Sequence, residues 1–198
     1  MRAICQRVHP RHIALLIALT IFLCCAYSRP GSGRGEPAVP KGANSMALTL
    51  TSTAFADRAA IPKRYTCDAN DISPALQWTG AATETQSLAL IVDDPDAPSG
   101  TWTHWLIWNI PPGAHQLPEG VPKTETLDNG AAQGRNDFRR IGYGGPCPPA
   151  GKPHRYFFKL YALNARLDLK PGASKADLEQ ALKAHILAQT QLMGTYHH

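Results

Sequence analysis

The sequence predicts a mainly β domain whose strands pair antiparallel, with one helix late in the chain. Three segments have the apolar runs or two-residue alternation of strands and end at turn residues, at positions 87–98, 104–113 and 154–163. Helical spacing is seen near the end, over residues 174–194. Because the strands do not alternate with helices, a βαβ architecture is not expected.

The first 28 residues are predicted to be a signal peptide. Residues 1–12 carry three arginines and no acid, and the next 15 residues, 13–27, are uncharged and almost wholly apolar. A spanning helix needs about 20 apolar residues, so we predict cleavage after Ser28, with an uncleaved signal anchor as the alternative. The domain would then be exported, to the periplasm or the medium, and would contact the membrane only through an uncleaved leader. Translation from Met46 would instead give a cytoplasmic protein.

Residues 29–45 are predicted to be a disordered tether and residues 46–198 one folded domain. The tether is dense in Gly, Pro and charge, so it cannot bury enough surface to offset the entropy of ordering. The chain has 20 Lys+Arg and 15 Asp+Glu, but six of these bases and one acid precede Met46, which leaves 14 of each in the domain. A neutral domain lacks the electrostatic footprint of a nucleic-acid-binding protein, so nucleic acid is excluded as a partner.

The late helix has both a start signal and an end signal. Ser174 and Asp177 form a capping box, and apolar side chains recur every four residues from Leu178 to Ile186. Gly194 suits the helix end. The helix is therefore expected to reach almost to the end of the sequence.

The domain contains two cysteines, Cys67 and Cys147, once the leader is removed. An even pair in an oxidising compartment predicts one disulfide. Two buried thiols are the alternative.

Strand alternation groups two sets of side chains. Alternate residues of a strand share a face, and the two predicted faces are His104, Leu106, Trp108 and Ile110 on one strand and His154, Tyr156, Phe158 and Leu160 on the other. Each face begins with a histidine beside a turn-rich segment. Imidazole, tyrosine hydroxyl and glycine amide donors at such a mouth suit a small anion. If an imidazolium donates, affinity should rise as the pH falls through about 6.5.

Several neighbours of this mouth are given structural roles. Asp96 is expected to cap its own turn, and Ser99 to serve the same turn. Asp93 is expected to be solvated or paired, and Arg155 to lie at the surface or in a salt bridge. The tryptophan Trp102 is expected in the core or at a rim.

The motifs at these positions resemble those of one protein family. "DPDAP" followed by "HW" and "NIP", and then "GYGGPCPPAGKPHRYFF", resemble the phosphatidylethanolamine-binding protein family, specifically its bacterial YbhB/YbcL-type, Raf kinase inhibitor-like branch. The resemblance implies a β-sandwich of two antiparallel sheets with a small anion pocket at one end. The Gly/Pro-rich segment would form a wall of that pocket.

Carried over residue by residue, the resemblance implies a set of ligand-binding positions in the two motifs. These are Asp94, Pro98, His104, Gly144, Gly145, Pro146, Pro148, Pro149, His154 and Tyr156. No catalytic residue, metal ligand or cofactor is implied. In "GRNDFRR", Arg139 stands where the bacterial relatives usually have glycine, which adds a cation near the second motif.

The resemblance implies a binding protein for a small anion or phosphorylated head group, with inhibition of a partner enzyme, a kinase or a protease, as an extension. Two other classes stay open. A metal-dependent or other hydrolase could use Asp94, His104 and His154, although the sequence has neither an "HExxH" nor a "GxSxG" motif. A structural protein of the cell envelope is the second alternative, which the tether supports.

Overall fold

The computed structural model describes residues 47–198. The predicted signal peptide, the tether and Met46 lie outside these residues, so those assignments stay predictions. Among residues 47–198, no helix has the length and apolar character needed to cross a membrane.

The described residues form two antiparallel sheets, a short 3-10 helix (Lys63–Tyr65) and one α-helix. In chain order the elements are β1 (Thr49–Ser52), β2 (Leu76–Thr79), β3 (Ser87–Asp94), β4 (Trp102–Ile110), β5 (Gln116–Leu117), β6 (Ala132–Gln133), β7 (His154–Leu163), α1 (Lys175–Leu182) and β8 (Ile186–Tyr196). One sheet has the order β1-β2-β5 and the other β6-β4-β3-β7-β8. The predicted mainly β class, with two antiparallel sheets and a late helix, is confirmed.

The five-stranded sheet is buried on both faces, which explains the continuous apolar run of β3. Leu88, Leu90 and Val92 pack in the core between the two sheets. Ala89 and Ile91 pack in a second core, under α1. Because a strand that is covered on both sides needs apolar residues at every position, β3 shows no alternation in its sequence.

Strand β4 does not keep the predicted alternation, because its pairing with β3 shifts register twice. One additional residue of β4 is accommodated at His104 and another near Asn109. Ile110 therefore packs between the sheets, whereas Leu106 and Trp108 pack toward α1. The prediction that these three side chains and His104 share a face is wrong, because each bulge changes the facing of the residues beyond it.

The predicted helix over residues 174–194 is right only in its first half. The capping box of Ser174 and Asp177 is present, but the helix ends at Leu182. Residues 186–196 form β8, which pairs antiparallel along the whole of β7. Ile186 is 41% exposed, and the buried positions 192, 194 and 196 alternate as in a strand. Pairing with β7 makes this segment a strand, and the two-residue alternation of its last residues is the sequence pattern that indicates it.

Candidate ligand-binding site

A cavity of about 270 Å³ lies where β3 ends and where β4 and β7 begin. Antiparallel pairing brings these three strand ends together. The lining residues are Asp94, Ala97, Pro98, Ser99, Trp102, His104, Phe138, Cys147, Pro148, Pro149, His154 and Tyr156. Both sequence motifs therefore contribute to one cavity.

Seven of the ten ligand-binding positions expected from the sequence line this cavity: Asp94, Pro98, His104, Pro148, Pro149, His154 and Tyr156. Trp102 and Phe138 also line it and were not expected there as binding residues. Trp102 lies two residues before His104 on β4, so strand alternation was a usable signal for it. Phe138 comes from the "GRNDFRR" segment just before the second motif, and the sequence-based expectations for that segment concern only Arg139.

The aspartate at the end of β3 holds the histidine at the start of β7. Nδ1 of His154 donates to Oδ2 of Asp94 at 2.7 Å. The other carboxylate oxygen accepts from the backbone N–H of Asp96 at 2.8 Å. Asp94 is 3% exposed and His154 8% exposed, so this pair is shielded from water. The carboxylate fixes the ring orientation and leaves Nε2 of His154 for a ligand.

The second histidine is held by the Gly/Pro-rich loop. Nδ1 of His104 donates to the carbonyl oxygen of Gly144 at 2.6 Å. The rings of Phe138 and Tyr156 contact the imidazole edge-on, with centroids 5.3 and 5.2 Å away. Burial lowers the pKa of His104 below the ordinary histidine value, against the opposing effect of the Gly144 carbonyl. The neutral ring therefore carries its proton on Nδ1 and offers Nε2 as an acceptor.

Two buried hydrogen-bond donors of the cavity have no partner among residues 47–198. They are the hydroxyl of Tyr156 and the indole Nε1 of Trp102. Burial raises the pKa of Tyr156, and so do the charge of the Asp94 carboxylate and its weak hydrogen-bonding interaction with the hydroxyl, so the hydroxyl keeps its proton. That interaction falls short of the geometry of a full hydrogen bond. A buried donor without a partner costs about 1–3 kcal/mol. Such groups are retained more readily where a ligand supplies the missing acceptor.

The glycines and the first proline of the loop lie behind the wall rather than in the lining. Gly144 accepts from His104, the N–H of Gly145 donates to Oδ1 of Asp71 at 2.6 Å, and the carbonyl of Pro146 accepts from the N–H of Cys67 at 3.0 Å. At Gly145 a Cβ atom would meet the backbone of residues 65 and 66. These residues therefore position the wall, and a direct ligand contact is not indicated for them.

A disulfide lies at the end of this loop. Cys67 and Cys147 are joined, with Cα atoms 5.4 Å apart, and Cys147 contributes to the cavity lining. The bridge ties the proline wall to the segment that follows the 3-10 helix.

The three aspartates at positions 93, 94 and 96 make contacts that differ in part from those expected. Asp94, and not Asp96, caps the turn. Asp96 instead accepts from the backbone N–H and the guanidinium of Arg155, at 2.7–3.0 Å. Hydrogen bonding to the Arg155 side chain lowers the pKa of Asp96 to about 2. Asp93 is paired, since Lys159 and Lys175 both lie 2.9 Å from its carboxylate.

Arg139 has a backbone conformation that glycine adopts without strain. Its φ is +61°, in the left-handed region. The turn is held by Asn136, which accepts from the N–H groups of Arg139 and Arg140. The arginine in "GRNDFRR" is therefore accommodated with the backbone that glycine favours, and its side chain is exposed.

The fold and the cavity define a small β-sandwich binding protein. The family model described as "Phosphatidylethanolamine-binding protein" matches residues 51–197. The chain therefore belongs to the phosphatidylethanolamine-binding protein family, as its motifs predict. A family named for binding agrees with the expectation of a binding protein rather than an enzyme.

Relatives of known sequence and structure support this assignment. A UPF0098 protein of Methanothermobacter thermautotrophicus is 55% identical over 149 residues, which are 75% of this chain and 98% of the relative. YbcL of Escherichia coli, a member of the mammalian PEBP family, superposes with a TM-score of 0.72 at 34% identity, covering 76% of this chain and 98% of YbcL. The PEBP homologue CT736 of Chlamydia trachomatis has a TM-score of 0.71 at 41% identity, covering 77% of this chain and 98% of CT736.

Proposed function

We propose that the chain binds a small phosphorylated head group, or a similar small anion, in the cavity between β3, β4 and β7. The observation that carries the proposal is the pair of buried donors without partners, the Tyr156 hydroxyl and the Trp102 indole. Both line the same cavity. Phosphate oxygens accept several hydrogen bonds at once, and such an anion would satisfy both groups.

The two histidines complete the binding surface. His154 and His104 each have Nδ1 engaged, so each offers Nε2. An anion beside the Asp94 carboxylate needs a compensating proton, either on an imidazole or on the phosphate itself. A phosphate monoester takes up its second proton near pH 6, so proton sharing with Nε2 is accessible close to neutrality. The cavity thus favours ligands that carry or accept one proton.

Binding is better supported than metal-dependent hydrolysis. In the described part of the chain, the ligand atoms of Asp94, His104 and His154 do not converge as a group that could hold one ion. Nδ1 of each imidazole and both oxygens of the carboxylate already have hydrogen-bond partners. This arrangement is suited to holding a polar ligand.

The test is calorimetric titration of phosphoethanolamine and of inorganic phosphate into the full-length protein and two tyrosine variants. Tyr156→Phe removes the unpaired hydroxyl and should weaken binding about tenfold or more. The same variant should unfold at a urea concentration no lower than the wild type does, because the hydroxyl makes no hydrogen bond of full geometry in the free protein. Tyr161→Phe, on the face of β7 turned toward α1, is the matched control and should bind as the wild type does. No binding by the wild type, or equal binding by Tyr156→Phe, would contradict the proposal.

Export is part of the proposal, and it is supported by the leader sequence and the paired cysteines. N-terminal sequencing of the native protein tests it. A chain that starts at Arg29 is expected, whereas a chain that starts at Met46 would indicate a cytoplasmic protein.

Inhibition of a partner kinase or protease is the further role that the family resemblance implies. It requires the loaded cavity rim to contact the enzyme. Inhibition by the wild type that is lost in Tyr156→Phe would support this role. Equal inhibition by both proteins would show that inhibition does not depend on the cavity.

A further inference from the structure

A second group of ligand-type side chains lies at the rim of the cavity. The sulfur atoms of Cys67 and Cys147 and a ring nitrogen of His198 all lie within 4.8 Å of one another. The three residues are exposed, so solvent and ions can reach them. Two thiolates and one imidazole are a ligand set typical of zinc, and in this structure the two sulfurs are joined as a disulfide.

The imidazole of this group is oriented by a carboxylate. Nδ1 of His198 donates to Oδ2 of Asp68 at 3.0 Å. The same oxygen accepts from the hydroxyl of Tyr196 at 2.5 Å. Metal-bound histidines commonly donate their second ring N–H to a carboxylate, which fixes the tautomer and makes the other nitrogen a better ligand. This contact orients the His198 ring and leaves Nε2 as the nitrogen available to a metal.

The two cysteines should stay close when the bond between them is broken, because two hydrogen bonds join the segments that carry them. The N–H of Cys67 donates to the carbonyl of Pro146 at 3.0 Å, and the hydroxyl of Tyr143 donates to the carbonyl of Tyr65 at 2.8 Å. These bonds join the same two segments as the disulfide. Two thiolates on one tetrahedral zinc ion lie about 3.8 Å apart, as follows from Zn–S bonds of about 2.3 Å. Cα atoms 5.4 Å apart allow that separation by side-chain rotation.

We propose that the reduced protein binds Zn²⁺ through the thiolates of Cys67 and Cys147 and Nε2 of His198, with water in the fourth position. A dithiol reductant breaks the S–S bond, transfers two electrons and two protons to the sulfurs, and closes its own disulfide. Zinc then displaces the two thiol protons as it forms two Zn–S bonds. The cysteine pair holds either a disulfide or the metal, so zinc binding depends on the redox state.

The test uses Co²⁺ as a spectroscopic probe in the full-length protein with Cys5, Cys24 and Cys25 replaced by serine. After reduction by a phosphine, one equivalent of Co²⁺ should give sulfur-to-metal charge-transfer absorption and the visible bands of a tetrahedral site. Zn²⁺ should remove both signals and release about two protons near neutral pH, since free thiols have a pKa of about 8.5. The oxidised protein should give neither signal.

Variants distinguish a metal site that includes His198 from metal binding by the two thiols alone. His198→Ala should weaken Co²⁺ binding at least tenfold, and Asp68→Asn should weaken it about tenfold to a hundredfold. His197→Ala, the adjacent exposed histidine, is the matched control and should bind as the parent protein does. A reduced protein without tetrahedral bands would overturn the proposal, and so would a His198→Ala variant with unchanged affinity.

Discussion

Nδ1 of His154 lies 2.7 Å from Oδ2 of Asp94, so the first residue of β7 is bonded to the last residue of β3. This contact joins the two sequence motifs at the cavity. It also orients the imidazole, because an ionised carboxylate accepts only from a ring nitrogen that carries a proton.

Replacing Asp94 should therefore impair binding more than folding. Asp94→Asn keeps an oxygen that can cap Asp96 but loses the anionic acceptor for His154. We expect affinity for phosphoethanolamine to fall about tenfold, because the His154 ring is no longer held with Nε2 toward the ligand, and this outweighs the gain from removing a negative charge beside the anion. Calorimetric titration measures this loss.

The adjacent aspartate gives a matched control. Asp93 is 1% exposed and paired with Lys159 and Lys175, away from the cavity lining. Asp93→Asn should lower the free energy of unfolding by about 2 kcal/mol and leave affinity unchanged. The reverse pattern, with binding lost in Asp93→Asn and kept in Asp94→Asn, would show that the cavity has been misassigned.

The pH dependence of binding should extend below the ordinary histidine pKa. Burial lowers the pKa of His104 in the free protein, and a bound anion favours the protonated ring and raises that pKa. Affinity should therefore increase as the pH falls through the pKa of the complex, and it should level off only below the lowered pKa of the free protein. Sulfate, which does not titrate in this range, isolates the contribution of the protein.

The measurement is sulfate affinity from about pH 8 to about pH 5, a range that brackets the ordinary histidine pKa. His104→Asn keeps a donor for the Gly144 carbonyl and should flatten the profile. His185→Ala, which removes a half-buried histidine bonded to Asn164, should leave the profile intact. A wild-type affinity that does not change with pH would exclude an imidazolium donor.

Gly194→Ala tests the close packing of β8 against the segment that contains Phe55 and Ile61. An added Cβ would lie 2.5 Å from Cγ1 of Ile61 and 2.9 Å from Cε2 of Phe55. Overpacking of this kind costs about 1–3 kcal/mol, which urea denaturation would detect. Gly113→Ala, where nothing lies within 4 Å of the added Cβ, is the control and should change stability little.

The disulfide should make a large contribution to stability. It closes a loop with a sequence separation of 80, and the chain-entropy model gives about 3–5 kcal/mol for such a loop. Cys67→Ser/Cys147→Ser should lose that amount in urea denaturation. Peptide mapping of the unreduced native protein should find the two cysteines linked. Two free thiols would contradict both the bridge and export to an oxidising compartment.

The stabilising contribution of the Asp96–Arg155 ion pair should be lost in acid. Hydrogen bonding to Arg155 lowers the pKa of Asp96 to about 2, below the unfolded value of about 3.9. Its stabilising contribution is therefore present above about pH 4 and is lost as the pH falls toward about 2. The urea midpoints of wild type and Asp96→Asn should differ above that window and converge within it. Parallel curves at every pH would show that the pair does not stabilise the fold.

Local signals in the sequence were sufficient for several features. Neighbouring residues alone determine three of them: the bounds of β7, the capping box of Ser174 and Asp177, and the strand face that His154 and Tyr156 share. The two motifs identified the family and most of the cavity lining, because the lining comes from strand ends that short patterns mark. The fold class followed from the scarcity of helical spacing.

Long-range pairing decided the rest. Residues 186–196 form a strand because β7 offers its free edge, although their four-residue spacing also suits a helix. The bulges of β4 turn His104 toward Tyr156 and Leu106 toward α1, which simple alternation does not predict. Phe138 reaches the cavity from the irregular segment between β6 and β7, which strand patterns do not mark. Each of these outcomes depends on which partner buries a side chain or completes a backbone hydrogen bond, and that is settled only when the sheets and the helix pack together.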